Sequence, residues 1–153
     1  MYDDILNLLP YKSSFRFVDH ISLLTLDEVH GDFSLRKDAF FYEDHFPGNP
    51  VTPGVIITEI MAQIGVVILG LNLIVHGEGK KNIAAASNII PLLTSTEVSF
   101  FKMALPGEKV SVISRKQYFR FNKLKCAVEM YNASQELVAK GIFSGFIKQI
   151  EKA

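Results

Sequence analysis

Two titratable side chains bracket a stiffened loop in this chain. His45 opens the run His45-Phe46-Pro47-Gly48-Asn49-Pro50-Val51-Thr52-Pro53-Gly54-Val55, and Glu59 follows it inside a long apolar stretch. The three prolines fix φ and remove donors, whereas Gly48 and Gly54 permit backbone shapes and approaches that a Cβ would forbid. With Thr52 as N-cap and Pro53 in the first helical position, a helix is expected to begin here and carry Gly54 in its first turn. Its free N–H groups then form an anion or oxyanion site, with His45 just before it and Glu59 about one and a half turns inside. Each signal also has a plain structural reading, a hydrogen-bonded His, one end of a buried ion pair, a common turn. Together they describe one coherent acid–base site, since a carboxyl amid apolar neighbours needs a reason to be there.

The rest of the chain reads as what must position that pair. The helix is apolar almost all round through Ile60, Met61, Ile64, Val66, Val67, Ile68 and Leu69, as expected when protein covers most of its sides. The sequence His76-Gly77-Glu78-Gly79-Lys80-Lys81 ends it. Asp3 or Asp4 is expected to cap a short helix through Leu9, stopped by Pro10. Strands are expected at 15–26, 29–35, 83–90, 97–103, 109–121, 124–131 and 136–148 from alternation and turn signals. One long buried helix and a curved antiparallel sheet make an α+β layer architecture in a single domain over 1–153.

Composition narrows the function. The 153 residues can bury a core unaided, and Lys plus Arg equals Asp plus Glu at 16 each, with no polybasic run, which argues against nucleic acid or anionic membrane as partner. Cys126 is a single cysteine, expected in the core, and no Cys/His cluster has zinc spacing, so a reducing, cytoplasmic setting without structural metal is expected. The acidic N-terminus lacks a signal-peptide pattern. The run 53–75 could cross a bilayer by length, but Glu59, Gln63 and Asn72 interrupt it and no close Lys or Arg flanks it, so no membrane span is expected. Gly65 and Gly70 offer close helix contacts in an oligomer.

The motif His45-Phe46-Pro47-Gly48-x-Pro50-Val51-x-Pro53-Gly54-Val55, with Glu59 and Met61-Ala62-Gln63, resembles the signature of bacterial 3-hydroxyacyl-(acyl carrier protein) dehydratases of the hotdog fold. Weaker similarity runs from Leu8-Leu9-Pro10 and Phe17-Val18-Asp19 to Phe100 and Leu105-Pro106-Gly107-Glu108. The resemblance implies a curved antiparallel sheet wrapped around one long central helix, and a hydro-lyase whose catalytic pair is His45 and Glu59. Glu rather than Asp at that position is similar to the branch that does not isomerise the double bond. His20 stands where the family has arginine, 99–104 replaces a more basic stretch, and the segment from Glu59 to Phe100 is longer, which leaves acyl length, carrier contacts and pathway open.

In that chemistry a 3-hydroxyacyl thioester loses an α-proton and a β-hydroxyl to give a trans-2-enoyl thioester. His45 is the base, Glu59 the acid, the Gly54 N–H the enolate donor, and Gln63, one turn beyond Glu59, orients the carboxyl. A mechanism in which His45 acts alone while Glu59 positions the hydroxyl uses the same atoms. No cofactor is required. The implied partners are an acyl carrier protein presenting phosphopantetheine, for which Lys102, Arg120, Lys123 and Lys125 are candidate contacts, and further copies of the chain in a dimer or trimer of dimers with sites shared between subunits. Fatty-acid synthesis and a polyketide-like or aryl-polyene pigment route are both open. The rival functions are a hotdog acyl thioesterase and a non-catalytic acyl-carrier-binding subunit.

Overall fold

Alternating side chains fold into a sheet with one face inward. A computed structural model describes residues 2–77, 79 and 81–150. Strands β1 (His20–Leu24), β2 (Glu28–Ser34), β3 (Ile89–Phe100), β4 (Lys109–Arg120), β5 (Lys123–Tyr131) and β6 (Leu137–Gln149) form one antiparallel sheet in the order β1-β2-β4-β5-β6-β3. In β5 the period is explicit: Leu124, Cys126, Val128 and Met130 are buried, and the residues between them are not.

The inner face holds the central helix, Gly54–His76, built from α2 (Gly54–Ala62), a π-helical turn (Gln63–Ile68) and α3 (Leu69–His76), with the short α1 (Asp3–Leu6) preceding the sheet. This 23-residue helix is long and apolar enough to span a bilayer, yet 72% of its most apolar window is buried within the fold, where it forms the core. Ile60, Met61, Ile64, Ile68 and Leu69 are fully enclosed. The arrangement is the expected α+β hotdog.

The helix sits unusually close to the sheet because Gly65 lets it. A Cβ there would lie 3.0 Å from Val128 Cγ1 and 3.1 Å from Ser114 Cβ, while Ser114 Oγ donates to the Gly65 carbonyl at 2.8 Å. Gly70 similarly receives Ile147 Cδ1, 3.0 Å from where its Cβ would be. Both glycines therefore seat the helix on its own sheet, which corrects the expectation that they serve contacts between helices.

Several boundaries also differ from the sequence reading. The strand expected over 15–26 starts only at His20, after a 3-10 turn at Ser13–Phe15, because the Phe17 N–H donates to Gln63 Oε1 at 2.8 Å instead of joining the ladder. Residues 83–86 curl into a 3-10 turn, and β3 begins at Ile89 rather than 97. The first helix closes at Leu6 and gives way to turns through Leu9. Of the helix-ending turn, Glu78 and Lys80 lie outside the described residues.

Candidate active site

The loop that carries His45 is pinned at both ends. The His45 N–H reaches the Phe41 carbonyl at 3.2 Å, the Thr52 N–H reaches the Ala104 carbonyl at 2.9 Å, and Thr52 Oγ1 pairs with the Tyr42 hydroxyl at 2.6 Å. Thr52 is thus not the N-cap that its sequence position suggests. Pro53 takes that place, its carbonyl accepting from the N–H groups of Ile56 and Ile57, so the helix starts one residue later, at Gly54. Phe46 has φ of 59°, a left-handed conformation costly for a bulky residue, immediately after His45.

A single bond sets the chemistry of His45. Its Nδ1 lies 2.7 Å from the Val51 carbonyl oxygen, which can only accept, so Nδ1 carries the hydrogen. In the neutral ring Nε2 then presents a lone pair and is suited to remove a proton.

Glu59 is set by the opposite kind of neighbour. Burial raises its pKa above the ordinary 4.5, and the hydrogen bond from Gln63 offsets part of that rise. Gln63 Nε2 donates to Glu59 Oε1 at 3.0 Å, as the one-turn spacing predicts. Since Oε1 accepts, a proton on the carboxyl is directed to Oε2. Gln63 is itself buried, and its remaining bonds run to the Phe15 carbonyl and the Phe17 N–H, tying the 15–17 segment to the helix.

Glu59 opens onto a cavity of about 200 Å³ between the helix and strands β3, β5 and β6, walled by residues such as Val66, Val67, Leu92, Leu124 and Phe146. Tyr11 lines it too, a residue that nothing in the local sequence marks, because its significance comes from Glu59 far along the chain. Ile147 lines this cavity and also a second one of about 570 Å³ near the end of the helix, beside Leu73, Ile89 and Phe119. His45 does not line the Glu59 cavity within one chain. Gly54 stands exposed at the helix start, with the Phe100 ring 3.4 Å from where its Cβ would be.

The four candidate carrier contacts do not form one rim. Lys102 lies beside Val138 and pairs with Glu136 at 2.7 Å, whereas Lys123 is opposite Phe146 at the other end of β6, roughly 25 Å away at about 3.3 Å per residue. Lys125 shares the far end with Lys123, and Arg120 stacks there on the Tyr118 ring at 4.4 Å.

A protein-family model for the FabA-like domain matches residues 9–139. The chain belongs to the FabA-like family. This FabA-like chain is 31% identical over 140 residues to the 3-hydroxyacyl-[acyl-carrier-protein] dehydratase FabZ of Syntrophobacter fumaroxidans, a match covering 88% of the chain and 89% of the relative. It is 28% identical over 148 residues to FabZ of Rhodospirillum rubrum, covering 96% and 87%. Against the bifunctional enzyme LpxC/FabZ of Chlorobaculum tepidum it is 34% identical over 109 residues, which are 71% of the chain but only 21% of that longer protein. Among solved structures, the dehydratase heterocomplex ApeI:P from Xenorhabdus doucetiae superposes with a TM-score of 0.73 at 14% identity, covering 97% of the FabA-like chain and 91% of its counterpart. A hypothetical thioesterase protein with coenzyme A from Streptococcus pneumoniae gives 0.61 at 12%, covering 99% and 100%. At such identities the likeness is one of fold.

Proposed function

We propose that this FabA-like protein is a hydro-lyase that dehydrates 3-hydroxyacyl thioesters carried on acyl carrier protein to trans-2-enoyl thioesters, in fatty-acid or related acyl-chain biosynthesis. The observation that carries the reading is the Glu59 carboxyl, desolvated, oriented by Gln63 and opening onto an apolar cavity. Full-length similarity to FabZ relatives supports the same chemistry.

In this mechanism His45 Nε2 removes the α-proton while the Gly54 N–H, assisted by the helix dipole, holds the charge that develops on the thioester oxygen. The electron pair from the C–H bond forms the new double bond, the β C–O bond breaks, and the proton on Glu59 Oε2 joins the departing oxygen to make water. No cofactor enters this balance. The acyl chain lies in the cavity, and phosphopantetheine links it to the carrier.

The site is completed by a second copy of the chain. Glu59 has its cavity and His45 does not line it, which supports the reading that the base comes from the neighbouring subunit, as the family resemblance implies. β3 supports such pairing: it is the twelve-residue edge of the sheet, and it leaves Leu92 and Leu93 each 45% exposed, an edge that calls for a partner strand. A dimer is the minimum assembly, with a trimer of dimers as its extension and the cytoplasm as its setting. Purified protein given a 3-hydroxyacyl carrier thioester should yield the enoyl thioester and water. Release of free acid instead would replace this reading with a thioesterase, and no turnover at all would replace it with a binding subunit.

A further inference from the structure

Among the described residues, the one polar side chain besides Glu59 in the cavity wall belongs to Tyr11, and the remaining lining is aliphatic, aromatic or glycine. Tyr11 is held by its neighbours: its ring lies 6.2 Å from that of Phe15, and the Phe15 carbonyl is bound by the same Gln63 amide that orients Glu59. The Gln63 amide thus ties the carboxyl to the segment against which the Tyr11 ring packs. No hydrogen bond is formed between the two side chains among the described residues, and both line the same cavity. Burial, and secondarily the Glu59 charge, push the Tyr11 phenol up to about 12, so it remains a neutral donor while Glu59 titrates.

A hydroxyl-bearing chain entering this cavity therefore meets two side chains able to bond it. We propose that Tyr11 is a further catalytic residue, whose Oη–H donates to the β-hydroxyl oxygen of the substrate while Glu59 protonates that oxygen. Tyr11 keeps its proton throughout. As the C–O bond breaks, its electron pair passes to the oxygen, the growing charge strengthens the bond from Tyr11, and Glu59 supplies the proton that completes water. The bond is stronger in the transition state than in the ground state, so it acts on kcat. It also selects acyl chains that carry a β-hydroxyl over those that do not. This inference rests on the dehydratase reading, and the following test separates the two.

Tyr11→Phe keeps the ring and its contact with Phe15 and removes only the hydroxyl. Calorimetric binding of two unreactive pantetheine amides, one 3-hydroxyacyl and one plain acyl of the same length, is compared in the intact protein and the variant, alongside steady-state dehydration and melting temperature. The expected result is that the intact protein prefers the hydroxylated amide, that Tyr11→Phe loses about three- to tenfold of that preference with unchanged affinity for the plain amide, and that kcat falls at least about tenfold with little change in KM. Equal loss of affinity for both amides marks a packing role and overturns the proposal, as does a variant with undiminished preference and kcat. An intact protein that binds both amides alike also overturns it. If the intact protein shows the preference but turns over no 3-hydroxyacyl thioester, the dehydratase reading fails and the Tyr11 contact is judged by the binding data alone.

Discussion

Gln63 Nε2 stands 3.0 Å from Glu59 Oε1, and the amide cannot be turned over. The Phe17 N–H requires an acceptor at Gln63 Oε1, and the Phe15 carbonyl requires a donor at Nε2. Backbone groups from another part of the chain thereby decide which carboxylate oxygen of Glu59 carries a proton. In the proposed mechanism the consequence is directional: Oε2, not Oε1, delivers it.

Replacing that amide tests its two duties at once. Gln63→Met fills similar space but strands the buried Phe17 N–H, a loss of about 1–3 kcal/mol in folding stability. The Gln63 bond also lowers the Glu59 pKa against the effect of burial, so its removal moves the alkaline limb of the pH–activity profile to higher pH. A profile that shifts to lower pH, or a variant as stable as the parent by denaturant titration, would count against this role.

Glu59 also links stability to pH. Its folded-state pKa is raised above 4.5, so below that value the carboxyl is protonated whether the chain is folded or not. As pH climbs from 4.5 through the raised value, the unfolded chain loses its proton first and the folded state loses stability. Glu59→Gln is neutral throughout and is therefore expected to be more stable than the parent near neutrality, with the margin shrinking toward pH 4.5. Denaturant midpoints measured across that range check it, and a margin that grows on acidification would contradict the burial argument.

Ile147 lines both the cavity of Glu59 and the larger one near the end of the helix, with its Cδ1 set against Gly70. Ile147→Ala should join the two spaces and shift preference toward longer acyl chains by about tenfold, at a cost of about 2–5 kcal/mol in stability. Turnover of a graded series of carrier thioesters reads this directly. An unchanged length profile in a folded variant would show that the chain ends elsewhere.

How much of this was legible in the sequence depended on whether the partners lie close along the chain. A helix beginning beside Pro53, the bond between Gln63 and Glu59 and the buried character of 53–75 follow from local rules of turn, period and burial, although the start itself falls one residue later than those rules place it. Gln63's bonds to Phe15 and Phe17, and Tyr11's place in the cavity, join segments far apart in sequence, so no spacing reveals them. β3 was hard to read because an unpaired edge leaves both Leu92 and Leu93 exposed, which removes the alternation that marks β5. Thr52 misled for a related reason: its hydroxyl had a distant alternative in Tyr42.

The central claim is that Glu59 of one subunit works with His45 of another. His45→Ala and Glu59→Gln alone should each stay folded and lose about 100- to 10,000-fold in activity, as general acids and bases do. Co-expressed under different tags and purified as mixed dimers, the two variants give one site with both residues damaged and one with both intact. The account predicts that the purified mixed dimers, with one intact site of two, show roughly half of parental dehydration activity, and that the unsorted population, with about half its dimers mixed, shows roughly a quarter. Mixed dimers as inactive as either single variant would contradict the shared site and leave His45 and Glu59 either acting within one chain or not forming the catalytic pair.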